Sequence, residues 1–201
     1  MDKAVLYLHG KGGSAAEAEQ YRKYFKNADV IGVAYEGDVP WVVEKQVREA
    51  YEKAAENYKQ ISVIANSIGA YYAMHTLQQA NIEKAWFISP IVDMERLILD
   101  MLGWAHATEQ MLQERGEIAT TFGETLSWDY LCYVRTHPIV WTVSTEILYA
   151  CGDHLTAHQT IEHFARAHKA NLTVMEDGEH WFHTKEQLTF LDCWMQSRTD
   201  W

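Results

Sequence analysis

Hydrophobic residues in this chain are concentrated in six short runs that alternate with longer segments of helical period. The runs are Ala4–Leu8, Val30–Ala34, Ile61–Ala65, Ala85–Ile88, Glu146–Ala150 and Leu172–Met175. Most of them lack a period of two, which is typical of strands buried on both faces. Helical patterns occupy Val42–Tyr58, Ile68–Ala80 and Ala157–His168. This alternation predicts an α/β fold with about six mostly parallel strands and helices on both faces of the sheet.

One segment interrupts the alternation between the fourth and fifth predicted strands. It contains no convincing buried strand and follows a helical pattern broken by glycines. We interpret this segment, 91–143, as a helical cap inserted into a single domain that spans residues 1–201. The alternative is a pair of ordinary packing helices with long loops, because a helical pattern alone does not place a segment over a site. Three aromatic residues of the predicted cap are candidates to contact substrate: Trp104, Trp128 and Tyr130.

A glycine-rich segment, His9-Gly10-Lys11-Gly12-Gly13-Ser14, follows the first predicted strand. Glycines at this place let backbone N–H groups approach a phosphate or an oxyanion closely. Gly10, Gly12 and Ala15 also match the dinucleotide-binding pattern, and Glu36 follows the second predicted strand as the ribose-binding acid would. A P-loop is excluded, because no Gly-Lys-Ser/Thr closes the sequence. The segment by itself leaves an oxyanion site and a nucleotide site open.

A serine lies at the junction between the third predicted strand and the following helix, in the sequence Ala65-Asn66-Ser67-Ile68-Gly69. A serine on such a sharp turn projects its hydroxyl above the edge of the sheet, and small flanking residues are needed because strand and helix nearly touch. Ala65 stands where the usual G-x-S-x-G pattern has glycine. The alternative interpretation is that Ser67 caps the helix.

Two further polar residues follow the last two predicted strands. Asp153 comes directly after Glu146–Ala150, and His180 comes after Leu172–Met175. Parallel strands joined by right-handed crossovers bring all strand-to-helix loops to one edge of the sheet. A serine hydroxyl needs a base within hydrogen-bond reach, and that base needs a carboxylate to orient it. Ser67, Asp153 and His180 therefore form a candidate nucleophile, acid and base in the order Ser…Asp…His.

The chain resembles the α/β-hydrolase superfamily, in particular the small bacterial serine hydrolases of the esterase type. The resemblance implies a minimal α/β-hydrolase fold in which Ser67 is the nucleophile, Asp153 the acid and His180 the base. It also implies an oxyanion hole formed by the backbone N–H groups of Ile68 and Lys11, with Gly12 as an alternative donor. The expected reaction uses no cofactor and no metal.

The function predicted from this resemblance is hydrolysis of a small carboxylic ester through an acyl-enzyme. The aromatic residues of the predicted cap favour an uncharged, partly apolar substrate. A first alternative is a non-catalytic binding protein with the same fold. A second and weaker alternative is a nucleotide-dependent oxidoreductase that uses the loop at Gly10, Gly12 and Ala15, an interpretation that leaves Ser67 and His180 without roles.

Composition narrows the classes of partner. The chain has 28 acidic residues against 17 Lys and Arg, for a net charge of −11. This excess argues against nucleic-acid binding, which needs clustered cations, and disfavours anionic substrates. No apolar run is long enough to span a membrane, and the first residues do not resemble a secretory signal. The three cysteines show no metal-ligand spacing and indicate reduced thiols in a cytoplasmic protein.

Several residues compete for the same roles. Asp93 is a second candidate acid, although a helix cap is the favoured interpretation. His183 is a substitute candidate for the base, and Cys151 could be mistaken for a nucleophile, although no base is placed to activate it. Ten histidines invite a metal site, but the chain contains no HExxH motif.

Overall fold

The computed structural model describes residues 2–199 and, within that range, contains one large and one small sheet. The strands are β1 (Lys3–Leu8), β2 (Asp29–Gly32), β3 (Gln60–Asn66), β4 (Ala85–Ile88), β5 (Glu117–Ala119), β6 (Thr125–Ser127), β7 (Thr145–Ala150) and β8 (Asn171–Met175). The large sheet has the order β2-β1-β3-β4-β7-β8, and each neighbouring pair is parallel. These pairings confirm the predicted six-stranded α/β sheet.

The helices connect these strands in the alternating pattern expected of parallel sheets. They are α1 (Pro40–Ala55), α2 (Ile68–Leu77), α3 (Met94–Trp104), α4 (Glu109–Arg115), α5 (Trp128–Thr136), α6 (His158–His168) and α7 (Lys185–Arg198), with a 310 helix at Ala15–Tyr24. The three helices predicted from the sequence correspond to α1, α2 and α6. Helix α1 begins earlier than predicted because Pro40 suits the first helical turn, where its missing N–H costs nothing. No helix within residues 2–199 is long and apolar enough to cross a membrane.

Both faces of the large sheet are covered. On one face, Tyr7, Ile64 and Trp86 pack into a buried cluster with the 310 helix and α7. Because side chains alternate along a strand, the adjacent residues Leu6, Leu8 and Phe87 belong to the opposite face, and they are fully buried as well. Helix α2 contacts β1 and β3. Burial on both faces explains the continuous hydrophobic runs in the sequence.

The chain divides into two compact units, Met1–Val92 with Val140–Trp201 and Asp93–Ile139. The second unit contains α3, α4 and α5, together with an antiparallel hairpin of β5 and β6 that the sequence pattern did not predict. The two hairpin strands have three residues each, too short to show a hydrophobic period. Within this unit, Arg135 on α5 bridges Glu95 on α3 and Glu109 on α4, at 2.7 and 2.6 Å.

The second unit is shorter than the segment predicted as a cap, 91–143. Trp141, at the end of that segment, belongs to the unit of the large sheet. Trp141 is 2% exposed, and its ring centroid lies 5.8 Å from that of Phe87. Its Nε1 donates to Thr145 Oγ1 at 2.9 Å. The role of the inserted segment as a cap stays a prediction.

Candidate active site

The turn between β3 and α2 holds Ser67 in a strained conformation. Its φ is 53° and its ψ −123°, a region that residues other than glycine rarely adopt. The surrounding backbone holds this turn: Ser67 N–H donates to Ile88 O at 3.0 Å, and Ser67 O accepts from the N–H groups of Ala70 and Ile91 at 3.1 Å each. The hydroxyl does not cap α2. The side chain is therefore available for another partner.

Two small residues allow this sharp turn. A Cβ on Gly69 would lie 2.5 Å from His9 O and 2.6 Å from Leu8 O, so no larger residue fits there. Ala65 is fully buried in β3, opposite Leu8 of β1 and Phe87 of β4 in the pairing register. The strained turn at Ser67 between β3 and α2, called the elbow below, forms with alanine at position 65. The departure from the usual glycine therefore does not prevent it.

His180 lies between Ser67 and Asp153. Its Nε2 is 2.8 Å from Ser67 Oγ, and its Nδ1 is 2.6 Å from Asp153 Oδ2. A carboxylate can only accept, so Nδ1 carries the proton and Nε2 is free to accept from the serine hydroxyl. The Asp153 side chain is fully buried and that of His180 is 13% exposed. The structure thus brings together the three side chains that the sequence proposed as nucleophile, base and acid.

The orientation of Asp153 is set by its second oxygen. Oδ1 accepts from the N–H groups of Leu155 and Thr156, at 2.8 and 3.1 Å. The turn at residues 153–156 has further hydrogen bonds that hold it in place. Thr156 Oγ1 donates to Pro90 O at 3.2 Å, and Tyr149 Oη donates to Thr156 O at 2.8 Å. Oδ2 is therefore left to face the imidazole.

A pair of glycines joins the loop that holds Asp153 to the loop that holds His180, and neither glycine was among the site residues predicted from the sequence. Gly152 N–H donates to Gly178 O at 2.9 Å, and a Cβ on Gly152 would lie 2.6 Å from that oxygen. A Cβ on Gly178 would lie 2.8 Å from the Cβ of Ala150. Their signal in the sequence is a glycine shortly before each polar residue, at Gly152-Asp153 and Gly178-Glu179-His180.

A family model covers most of the chain, matching residues 4–189. The chain belongs to UPF0227, described as an uncharacterised protein family. A comparison with curated protein sequences found no match.

Solved structures similar to this UPF0227 chain have the α/β-hydrolase fold. Est1E from Butyrivibrio proteoclasticus is 12% identical, with a TM-score of 0.75 over 97% of this chain and 85% of that one. Alpha/beta hydrolase domain-containing protein 10 from mouse is 15% identical, with a TM-score of 0.74 over 98% and 89%. A proline iminopeptidase-related protein from Thermus thermophilus is 17% identical, with a TM-score of 0.63 over 98% and 89%. These likenesses confirm the fold predicted from the resemblance.

The glycine loop packs directly on the elbow. A Cβ on Gly10 would lie 3.2 Å from the Cβ of Ser67, and Gly13 N–H donates to Gly10 O at 3.1 Å to close a turn. The predicted oxyanion donors, Lys11 and Ile68, thus belong to the two segments that meet at Ser67. Their role as donors stays a prediction.

The residues of the nucleotide alternative have different roles in the fold. The residues after the loop form a 310 helix, Ala15–Tyr24, whereas a dinucleotide site uses the amino terminus of an α-helix. Gly10 is small because it lies against Ser67. Glu36 is exposed, and its backbone N–H and C=O both pair with the side-chain amide of Gln46, at 3.0 and 2.7 Å.

The competing acid and base have other partners. Asp93 Oδ1 accepts from Arg96 N–H at 2.9 Å and caps α3, as its favoured interpretation predicted. His183 stacks on Trp181 with 4.8 Å between ring centroids and lies 3.5 Å from Glu179 Oε2.

The hydrogen-bond partner of the Cys151 thiol is a carboxylate. Its thiol donates to Glu176 Oε2 at 3.4 Å. Partial desolvation, this hydrogen bond and the charges of Glu176 and Asp177 raise the pKa of the Cys151 thiol, which favours the unreactive protonated form. Among residues 2–199, no group of three or more His, Cys, Asp or Glu side chains could hold a metal ion.

The three aromatic residues predicted to contact substrate lie in the second compact unit. Trp104 is 44% exposed and meets the ring of Phe122 edge-on at 6.1 Å. Trp128 and Tyr130 are partly buried in the first turn of α5. Their contact with substrate stays a prediction.

Proposed function

We propose that this chain is a serine hydrolase that cleaves small carboxylic esters through an acyl-enzyme. The observation that carries the proposal is the continuous hydrogen-bonded path from Ser67 Oγ through His180 to Asp153 Oδ2, with distances of 2.8 and 2.6 Å. A serine needs such a base, and the base needs such a carboxylate, to act as a nucleophile.

In the proposed reaction, Ser67 Oγ attacks the ester carbonyl while His180 Nε2 takes the hydroxyl proton. The imidazolium donates that proton to the leaving alkoxide, and the alcohol departs to leave an acyl-serine. His180 then takes a proton from water, which attacks the acyl group, and the proton returns to Ser67 as the carboxylic acid leaves. Asp153 orients the ring and stabilises its charged form at both stages.

The tetrahedral intermediates carry a negative oxygen that needs donors. We propose the backbone N–H groups of Ile68 and Lys11, each contributing about 3 kcal/mol to the lowering of the barrier. The packing of the glycine loop on the Ser67 elbow supports this assignment.

The proposed substrate is an uncharged ester of modest size, cleaved without a cofactor. A structure of the similar protein Est1E contains bound ferulic acid, and a carboxylic acid is the class of product that this route releases. We also propose a cytoplasmic location, because all three cysteines are free thiols.

Labelling with a fluorophosphonate probe tests the proposed chemistry. The wild-type protein should be labelled at Ser67 at neutral pH, and Ser67→Ala should abolish the label. Ser197→Ala is a matched control, because the Ser197 hydroxyl donates to Trp194 O at 2.9 Å on α7, and this variant should be labelled like the wild type. A folded wild-type protein that takes no label would contradict the proposal and favour a binding protein. Hydrolysis of p-nitrophenyl esters of increasing chain length, beside thioester and amide analogues, then defines the substrate.

A further inference from the structure

A buried phenol and a carboxylate lie next to the glycine loop and have no part in the proposed chemistry. Tyr7 in β1 is fully buried, and its Oη donates to Glu17 Oε2 at 2.5 Å. Burial, the neighbouring Tyr21 and the Glu17 carboxylate all raise the pKa of Tyr7, so the phenol remains a protonated donor.

The other oxygen of Glu17 holds the end of the glycine loop. Oε1 accepts from Ser14 N–H at 3.0 Å. A Cβ on Gly13 would lie only 2.6 Å from this oxygen, so the carboxylate is in close contact with the loop backbone. A side chain at residue 13 would displace this carboxylate and would also crowd the Cβ of His9 at 3.0 Å and Gly10 O at 3.2 Å.

The phenol also lies close to the segment that precedes Ser67. The Asn66 side chain is near enough to the Tyr7 hydroxyl to offset part of the rise in the pKa of Tyr7. Asn66 directly precedes Ser67, and its Nδ2 is 3.9 Å from the place of a Cβ on Gly10. Two hydrogen bonds therefore run from Tyr7 in β1, through the Glu17 carboxylate, to Ser14 at the end of the loop.

We propose that Tyr7 and Glu17 are positioning residues that hold the glycine loop, residues 10–14, at a fixed distance from the elbow at Ser67. The inference rests on the proposed function, because it concerns the loop that carries the second oxyanion donor.

The loop needs such a support. Three of its five residues are glycines, and Gly12 has a φ of +73° with open space around it, so its own backbone imposes little rigidity. An oxyanion donor acts only within a narrow range of distances, about 2.7–3.1 Å. Glu17 lies in the first turn of the 310 helix and forms a capping box with Ser14, so its carboxylate ties the end of the loop to the start of that helix and to Tyr7.

Removing one oxygen atom tests this inference. We expect Tyr7→Phe to lower kcat for a p-nitrophenyl ester by about 10- to 100-fold while KM changes by less than about twofold. A misplaced donor stabilises the charge of the transition state less, but hardly affects the binding of the substrate. An alkyl boronic acid, whose tetrahedral adduct carries an oxyanion, should bind more weakly by a similar factor.

Tyr24→Phe is the matched control. Tyr24 Oη donates to Asp192 Oδ1 at 2.8 Å, the same kind of pair at another place in the fold. This variant should keep wild-type kcat and boronic acid affinity. An equal loss in both variants would overturn the inference, because the effect would then be one of general stability.

Variants of Glu17 keep the test informative if Tyr7→Phe fails to fold. Glu17→Gln retains an acceptor for Ser14 N–H and should keep most of kcat, whereas Glu17→Ala should lose it. In Tyr7→Phe/Glu17→Ala the losses should not multiply, since both residues act as one unit. Full kcat in Glu17→Ala would overturn the inference while Ser67 labelling of the wild type leaves the proposed function standing. A wild type that is not labelled would overturn both.

Discussion

At the scale of single residues, hydrogen-bond partners distinguish groups that the sequence presents as equivalent. Asp93 and Asp153 both follow strands of the sheet, yet one caps α3 and the other meets His180. Cys151 follows the same strand as Asp153, yet its thiol faces a carboxylate. Chemical type is encoded at each position, but the role depends on the neighbour across the fold.

The first residue-scale prediction concerns Asp153, the proposed acid. Asp153→Asn should fold, since the amide oxygen can still accept from the turn, but kcat should fall by about 10³- to 10⁴-fold because the imidazole is held in the wrong tautomer. Steady-state kinetics with a p-nitrophenyl ester measures this. Asp93→Asn is the control and should retain activity, because asparagine also caps helices well. Near-normal turnover in Asp153→Asn would assign the acid to another residue.

The second residue-scale prediction concerns Cys151. Because the pKa of the Cys151 thiol is raised above the usual 9.0, alkylation by iodoacetamide should be slow at pH 7. It should accelerate as the pH rises and level off only when the pH exceeds the raised pKa. Glu176→Gln removes the adjacent charge and should accelerate alkylation at neutral pH. Peptide mass spectrometry can follow Cys151 with the exposed Cys193 as an internal reference. Fast alkylation of wild-type Cys151 at pH 7 would contradict the expectation.

At the scale of elements, close approaches of backbone decide the geometry of the site. Helix α2 can begin beside β1 only because Gly69 has no side chain, and the loops after β7 and β8 meet at Gly152 and Gly178. Each contact joins segments that are distant in sequence. The strain at Ser67 persists because these neighbours hold the turn from several sides.

Two glycine substitutions test the importance of these close approaches at the element scale. Gly69→Ala should lower the melting temperature and abolish labelling of Ser67, because the methyl group would meet the carbonyls of Leu8 and His9. Gly103→Ala is the matched control in helix α3, where a Cβ meets nothing within 4 Å. It should raise stability by about 0.5–1 kcal/mol, since alanine loses less backbone freedom in a helix. Thermal unfolding compares the two, and a stable, fully labelled Gly69→Ala would refute the close-contact argument.

At the scale of the whole molecule, the candidate site lies within one compact unit. Ser67, Asp153, His180 and the glycine loop all belong to the unit of the large sheet, although Asp93–Ile139 interrupts that unit in sequence. A parallel sheet brings loops from distant parts of the chain to one edge. An insertion between two strands can therefore leave the site residues at that edge.

Net charge yields a prediction for the whole molecule. With a formal charge of −11, the protein should repel anionic substrates at low ionic strength, and added salt should screen that repulsion. The kcat/KM of an ester with a free carboxylate, such as a p-nitrophenyl hemisuccinate, should therefore rise with salt. The neutral p-nitrophenyl butyrate is the control and should respond little. A salt response of the same size for both esters would show that long-range charge is not its cause.

Much of the fold could be predicted because it depends on short stretches of sequence. Buried strands leave continuous runs such as Ile61–Ala65, and helices leave a period of 3.6, so six strands and three helices were predicted within a few residues. The hairpin of β5 and β6 was missed because three-residue strands carry too little pattern. The residues of the Ser67–His180–Asp153 path could be proposed because each follows its own strand, and parallel strands end at a common edge.

Local sequence patterns are enough to predict which chemical groups reach the edge of the sheet, since hydrophobic runs mark the strands and the residues that follow each run lie at its end. Which of these groups touch depends on how the segments pack in three dimensions. The hydrogen bonds from His180 to Asp153, from Gly152 to Gly178 and from Tyr7 to Glu17 join atoms of segments that are distant or separate in the chain. A hydrogen bond needs two atoms within about 3 Å, and that distance is set by the packing of the whole core, which no local pattern in the chain records.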